Sequence, residues 1–322
     1  MNWGNDSVGA CTLEQYKSAL TADGKLILPG ASGTFWEGTD LRSLVLRPEF
    51  RLAAPSPAEV RRVLWQGWSP LVTYSVAPDP EHPQNAWLYV CQDQDYRLEK
   101  LDSPARRDIR RALRAFRFEF LDHATFLKHG EKCFCDTRRR NDLSDGIPEV
   151  FRDKFVHFDR NPAHRILGAW AYECLAAYVA LIMVDDWVKI YPYAADDHLK
   201  GCPVNGIVHF TLEHYLVQRK FRLVNYGLSS VQEASKASGL HKFKKKLGFE
   251  CLPVHRAVVF HPLLRPLANR GSLWALRACR ALFPGNSPLR RAAGLLAAYL
   301  GKTPMPSNDR SELDATGYEA RR

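Results

Sequence analysis

Three apolar runs lie end to end in this chain, Ile166–Tyr172, Leu175–Val184 and Trp187–Tyr193, separated only by Glu173-Cys174 and Asp185-Asp186. Runs so short, so rich in Val, Ile, Ala and aromatic residues and so closely spaced read as an antiparallel meander with a hairpin turn at Asp185-Asp186. A buried helix competes over Leu175–Met183, because periodicity does not separate helix from strand in a run of this length.

The segment after the meander sets the functional expectation. A polar loop, Asp196–Asn205, leads into an amphipathic helix carrying Ile207, Phe210, Leu212, Tyr215 and Leu216. Unpaired N–H groups at a helix start beside a strand end suit a pyrophosphate. Next come a strand over Phe221–Tyr226, a polar turn over Gly227–Ser230, a helix with Lys242, Lys244, Lys245 and Lys246, and a last strand over Leu252–Phe260. A lysine-rich helix between two apolar strands places positive charge at the rim of a sheet, where a substrate with phosphates is welcome.

Upstream, the first 30 residues read as irregular. Leu44–Phe50, Leu71–Val76 and Ala86–Cys91 read as strands, and Ser56-Pro57 opens a helix that reaches Trp65, which together give a small α/β unit. Ser103-Pro104 opens another over Ala105–Arg117, with Ile109, Leu113 and Phe116 as its apolar stripe. Six arginines of that helix face a single acid, Asp108; either an anion or acidic neighbour relieves the repulsion, or the helix is merely solvated. Phe118–Leu121 reads as a short strand. Glu131–Asp145 reads as helical and then loop-like, and Glu149–Phe158 as helical. After Pro262 two short helices are expected, Leu273–Phe283 and Pro288–Leu300, and a polar disordered tail from Lys302. The expected division is an N-terminal α/β unit over 1–122, a second unit over 123–265, and C-terminal helices with the tail over 266–322.

Composition narrows the partners. The chain of 322 residues is long enough for two modest domains, and 45 Lys+Arg against 35 Asp+Glu, a net charge of +10, favour anionic ones: nucleic acid, CoA or an acidic membrane. Met1–Asp23 has no basic start followed by an apolar run, so a cytoplasmic protein is expected. Of the eight cysteines only Cys133 and Cys135 lie close together, in a Cys-Phe-Cys spacing unlike that of zinc ribbons, so reduced thiols and no metal are expected.

The element order of three antiparallel strands, helix, strand, helix and strand resembles the core of the GNAT superfamily acyltransferases, in the FemAB-like acetyltransferase branch. The resemblance covers roughly 96–262. It is carried by Arg106–Ala112, the strands of Ile166–Tyr193, Pro203-Val204-Asn205, Asn225-Tyr226-Gly227 and Gly239-Leu240-His241-Lys242-Phe243-Lys244. It implies an α+β class: a GNAT (acyl-CoA N-acyltransferase) fold with a mixed, mostly antiparallel sheet, tandem GNAT-like units and C-terminal helices. It also implies an enzyme that moves an acyl group to an amine acceptor. Acetyl-CoA or another acyl-CoA is one donor that the resemblance implies, and the aminoacyl-tRNA of the FemAB-like enzymes proper is the other. Two departures keep both open: His198–Gly206 has only Gly201 and Gly206 where simple GNAT enzymes carry a glycine-rich loop, and Asn225 stands where an acid is common.

Site roles follow from the same resemblance. No Ser-His-Asp or Cys-His pattern is visible, so direct attack without a covalent enzyme intermediate is expected. In GNAT-like folds the donor sits where the central strands splay, so N–H groups of the Trp187–Tyr193 strand are expected to hold the acyl group. Tyr226 is the candidate acid for the leaving group, with a packed aromatic as the alternative. Glu173 is the candidate base, with a solvated turn carboxylate as the alternative. Lys244, in the place of the family's Phe-Lys pair, is expected to hold a phosphate or the donor carbonyl, and Lys242, Asn205, Tyr191 and Ser229 to complete the donor site. A non-catalytic anion- or membrane-binding module, using the helices after Pro262, is the reading from outside enzymology.

Overall fold

The computed structural model describes residues 10–31, 33–39, 42–141, 147–229, 234–283 and 287–301. The chain opens with helix α1 (Leu13–Ala22), strands β1 (Ile27–Pro29), β2 (Phe35–Gly38) and β3 (Leu44–Arg47), helix α2 (Pro57–Gln66) and strand β4 (Leu71–Val76). Strand β5 (Ala86–Cys91), helix α3 (Ser103–Ala115), strand β6 (Arg117–Phe120) and helices α4 (His123–His129), α5 (Glu131–Arg140) and α6 (Pro148–Phe155) come next. The meander is β7 (His164–Ala171), β8 (Cys174–Val184) and β9 (Trp187–Ala194). Then come α7 (Pro203–Leu212), β10 (Leu223–Leu228), α8 (Ala234–Lys246), β11 (Glu250–Phe260), α9 (Arg270–Leu282) and α10 (Ser287–Tyr299).

The meander is formed as its spacing indicates. Both turns start with a residue in the left-handed region, Tyr172 at φ 53° and Asp185 at φ 48°, which matches the twist of a tight hairpin. Leu175–Leu181 is buried at every position, because helices cover both faces of the sheet; this is why the run lacks alternation. Residues 10–30 are not irregular. Thr12 accepts from the Gln15 N–H while the Gln15 side chain accepts from the Thr12 N–H, a capping box that starts α1. Strands β1 and β2 are too short for periodicity to reveal, and the strand expected over Leu44–Phe50 stops at Arg47 before a single helical turn. Glu131–Asp145 is helical to Arg140, and its continuation over 142–146 lies outside the described residues, as does the tail from Lys302.

The eleven strands among the described residues join one sheet, in the order β1-β2-β3-β4-β11-β5-β10-β9-β8-β7-β6. It is mixed and mostly antiparallel, with β3–β4 and β9–β10 parallel. Those two pairs reveal a duplication. β1-β2-β3, helix α2, then β4 repeats as β7-β8-β9, helix α7, then β10, each an antiparallel trio joined through a helix to a parallel neighbour. The strand after each repeat crosses to the other: β5 pairs with β10, and β11 pairs with β4. The sheet therefore has no break near residue 122. Helix α3 and β6 precede that position, yet α3 packs on α7 and β6 pairs with β7 in the second repeat.

Helices α3 and α7 cover one face of the second repeat. Their approach depends on Gly206, where an added Cβ would lie 2.6 Å from the Ala112 Cβ. Helices α4, α5 and α6 cover the opposite face with a cluster of Phe126, Phe134, Phe151, Phe155, Tyr178 and Tyr193. Helix α10 packs on β11 through Leu295 and Ala298 against Leu71 and Val258, and α9 packs on α10.

Candidate active site

The centre of the sheet does not stay closed. β9 and β10 pair from Trp187↔Leu223 to Lys189↔Asn225, and there the ladder ends although β9 runs on to Ala194. β10 leaves because of a bulge. Its pairing with β5 steps from Asn225↔Val90 to Gly227↔Tyr89, leaving Tyr226 as an extra residue. Gly227 sits at φ 85°, open to glycine, and its N–H donates to Asn225 Oδ1 at 2.7 Å. Asn225 is fully buried, and its Nδ2 has no partner among the described residues.

The edge that β9 leaves bare is finished by other means. The Ala195 N–H donates to Ala176 O on β8, so by alternation Ala194 and Pro192 turn their backbones toward the gap. Pro192 has no N–H to leave unpaired. The Ala194 N–H donates to Thr137 Oγ1 at 2.8 Å, and the Ala194 carbonyl accepts from Arg140 at 2.9 Å. This corrects the expectation that amides of this strand hold the acyl group: neither Pro192 nor Ala194 has a free N–H.

The gap opens into a cavity of about 270 Å³ lined by Thr137, Arg140, Pro192, Ala194, Pro203, Val204, Asn205, Tyr226, Leu240 and Phe243, among others. Helix α7 points its N-terminus into it. Cys202, at φ 59°, precedes Pro203, and no side chain among the described residues caps the helix, so the positive end of the dipole meets the cavity. Arg140 also binds Asp196, which neutralises it in part.

Lys244 lies beneath Tyr226. It is 2 % exposed, with Nζ 4.0 Å from the Tyr89 ring centroid and 4.3 Å from that of Tyr226, and it donates to the Tyr226 carbonyl at 3.5 Å. No acid pairs with it among the described residues. Burial pushes its ammonium down to about 7, while the two ring faces favour the charged form. Tyr89 is in turn fixed by its hydroxyl, 3.0 Å from His241 Nδ1. Burial holds the Tyr226 hydroxyl well above its ordinary value, so it stays protonated and able to donate.

A second set of charges lies on the opposite face. Lys189, the last residue of β9 paired with β10, forms a buried ion pair with Glu49; Glu49 also accepts from Arg47 Nη1 at 3.0 Å, and Arg47 Nε donates to Glu37 at 3.0 Å. Burial alone would raise the Glu49 carboxyl, but Lys189 and Arg47 hold it well below the usual carboxylate range. These residues, with Tyr16 and Tyr191, line a cavity of about 60 Å³. A larger one of about 520 Å³, lined by Lys25, Phe134, Arg138, Lys154, His157 and Arg291 among others, also has Phe134 and Lys154 from the α5 and α6 side.

Of the residues expected from sequence, Tyr226 and Asn205 meet in the cavity at the β9–β10 gap, and Lys244 packs against the Tyr226 ring. Four do not join them. Glu173 is an exposed residue of the β7–β8 turn and lines no part of the cavity. Tyr191 shares the side of Lys189 and Glu49, because alternate β9 side chains go to opposite faces. Ser229 Oγ accepts from the Trp87 N–H at 3.0 Å, and its own N–H donates to the Trp87 carbonyl, so it extends the β5–β10 ladder. Lys242 is exposed on α8, two residues from Lys244 and so turned about 200° away. Sequence reasoning missed Thr137, Arg140, Pro192 and Tyr89. Pro192 carried a signal, since a proline inside a central strand marks a place where no ladder bond is made.

The fold has known counterparts. The chain is similar to FemX, at 10 % identity with 78 % of this chain and 92 % of that one covered and a TM-score of 0.51. It is similar to the C-terminal domain of a putative lysylphosphatidylglycerol synthetase from Agrobacterium fabrum, at 12 % identity, 76 % and 91 % coverage and a TM-score of 0.50. A conserved protein of unknown function from Bacteroides thetaiotaomicron aligns at 10 % identity, 78 % and 98 % coverage and a TM-score of 0.50. No family model and no curated protein matches the chain. At such identities the likeness concerns the fold.

Proposed function

From a GNAT fold of the FemAB-like kind, we propose that this chain is an acyltransferase that takes an acyl group from a phosphate-bearing carrier to an amine, by direct attack in the β9–β10 gap. The observation that carries the reading is the interrupted ladder at Lys189↔Asn225, with a buried lysine beneath and, among the described residues, an uncapped helix N-terminus at the mouth. The amine nitrogen attacks the acyl carbon, the bond to the carrier breaks, and the carrier leaves with a proton from Tyr226. The amine proton passes to Lys244 in its neutral form or to water and returns from there to Tyr226, so no proton is gained or lost overall. Phosphates of the carrier meet the α7 N-terminus at Val204 and Asn205. The acceptor approaches from the face of Lys189 and Tyr191. Glu173 is too far out in its turn to serve as the base in this scheme.

With acyl-CoA as the carrier, calorimetric titration with acetyl-CoA and a longer acyl-CoA should show binding that Lys244→Ala weakens. Absence of heat with both at low salt contradicts it.

A second reading, an aminoacyl-tRNA carrier, is favoured by α3. Arg107, Arg110, Arg111 and Arg114 are exposed at helical spacing along one stripe, and Arg111 donates to the Lys200 carbonyl just before the α7 N-terminus. That leads a basic track to the cavity mouth. Filter binding of charged tRNA across salt concentrations separates the two: contacts to many phosphates weaken steeply with salt, and those to CoA weaken less.

A further inference from the structure

Helix α9 is apolar on the wrong side. At 100° per residue, Leu273, Leu276 and Arg280 point toward α10, and Leu273 is 2 % exposed. The opposite stripe, which meets water, consists of Gly271, Trp274, Ala275, Ala278, Ala281 and Leu282. Trp274 is 73 % exposed and Leu282 76 %, and Phe283 just beyond is 61 % exposed. A solvent-facing helix ordinarily carries its charges there. Here Arg270 and Arg277 border the apolar stripe instead, both exposed. The loop that leads into α9 repeats the pattern, with Leu263 68 % and Leu267 64 % exposed on either side of Arg265.

Charge decides what covers this surface. Residues 251–308 contain no Asp or Glu at all, while arginines recur throughout. A second copy of the chain would set arginine against arginine. An anionic lipid surface satisfies both halves of the pattern: Trp274, Leu282 and the flanking leucines enter the headgroup boundary, and the arginines meet lipid phosphates. No described helix is long and apolar enough to cross a membrane, so the contact lies in the interface plane. We propose that α9 and the 263–267 loop dock this protein on an anionic membrane surface.

The full chain should be tested by co-flotation with vesicles of phosphatidylcholine alone and with one third phosphatidylglycerol. Binding is expected with the anionic vesicles, at least about tenfold weaker with phosphatidylcholine, and falling as salt rises. Trp274→Ser with Leu282→Ser is expected to weaken it at least about tenfold with the melting temperature unchanged, since both side chains are in water already. Arg270→Gln with Arg277→Gln, which leaves the apolar stripe in place, should weaken it too. Arg110→Gln with Arg114→Gln on α3 should leave it intact. Equal flotation with both vesicles, none with either, or flotation lost only with the α3 pair overturns the proposal. So does a dimer in light scattering that Trp274→Ser with Leu282→Ser dissociates while flotation persists, because the face would then belong to a protein contact.

Discussion

Lys244 is costly to keep charged, because burial disfavours its ammonium, and it is the least replaceable residue in the proposed chemistry. Its ordinary value in an unfolded chain is 10.5, and burial lowers it to about 7 in the fold. Below pH 7 both states are protonated and the full penalty of burying the cation is present; from pH 7 to 10.5 the unfolded state binds more protons, so this residue's contribution to stability improves as pH rises. Each tenfold loss of proton affinity corresponds to about 1.4 kcal/mol, offset in part by the two ring faces. Lys244→Met should therefore stabilise the protein by at least about 1 kcal/mol in urea unfolding at pH 6, by less at pH 10, and abolish transfer at both. The residue is legible because its place in a Phe-Lys pair is local in sequence. Glu173 lies apart from the cavity for a related reason: a turn between strands can be read from sequence, but not where in the fold that turn ends up. Tyr191 and Lys189 fall on the other face by simple alternation, which is available once β9 is recognised.

At the scale of elements, the junction of α5 with β9 holds the gap open. Thr137 supplies the acceptor that the Ala194 N–H would otherwise find in β10. Thr137→Val keeps the shape and removes that acceptor, so a loss of about 1 to 3 kcal/mol is expected in chemical denaturation, together with a lower rate of transfer. Nothing in the polar sequence of α5 announces this role, because the partner lies 57 residues away. Caps are more legible. The Ser56-Pro57 start of α2 is plain in the sequence, and the capping box at Thr12 and Gln15 is just as local, although that stretch reads as irregular without it. For α3, an anion or acidic neighbour is one expected remedy for its arginines. Lys246 takes the one acid of the helix, Asp108, at 2.6 Å, and Arg110 and Arg114 stay exposed with no partner among the described residues.

Across the whole molecule, the exchange of β5 and β11 makes each repeat depend on the other. A fragment of 1–122 lacks the β11 neighbour of β4 and carries β5 without β10, so circular dichroism is expected to show it unfolded, and the full chain should unfold in one transition. The Glu49 ion pairs reinforce the same tie, joining Arg47 of the first repeat to Lys189 of the second. Glu49→Gln leaves the buried Lys189 and the half-buried Arg47 short of a partner and should cost about 3 kcal/mol or more at pH 7. Because the folded carboxyl is held below its unfolded value of 4.5, the contribution is full above that pH and is lost progressively as pH falls below it; the difference between Glu49→Gln and the parent should shrink there. The tandem architecture is legible through its resemblance, but the crossing of strands is not, since β5 and β10 pair across more than 130 residues and leave no local pattern.

A crystal structure with a non-transferable donor, an acyl-CoA thioether or an amide-linked aminoacyl-RNA fragment, tests the central claim most directly. Its acyl carbon is expected between β9 and β10, beside Tyr226 and above Lys244, with phosphates at the start of α7. Density for the donor anywhere else, or a β9–β10 ladder continued through Pro192 and Tyr226, contradicts it.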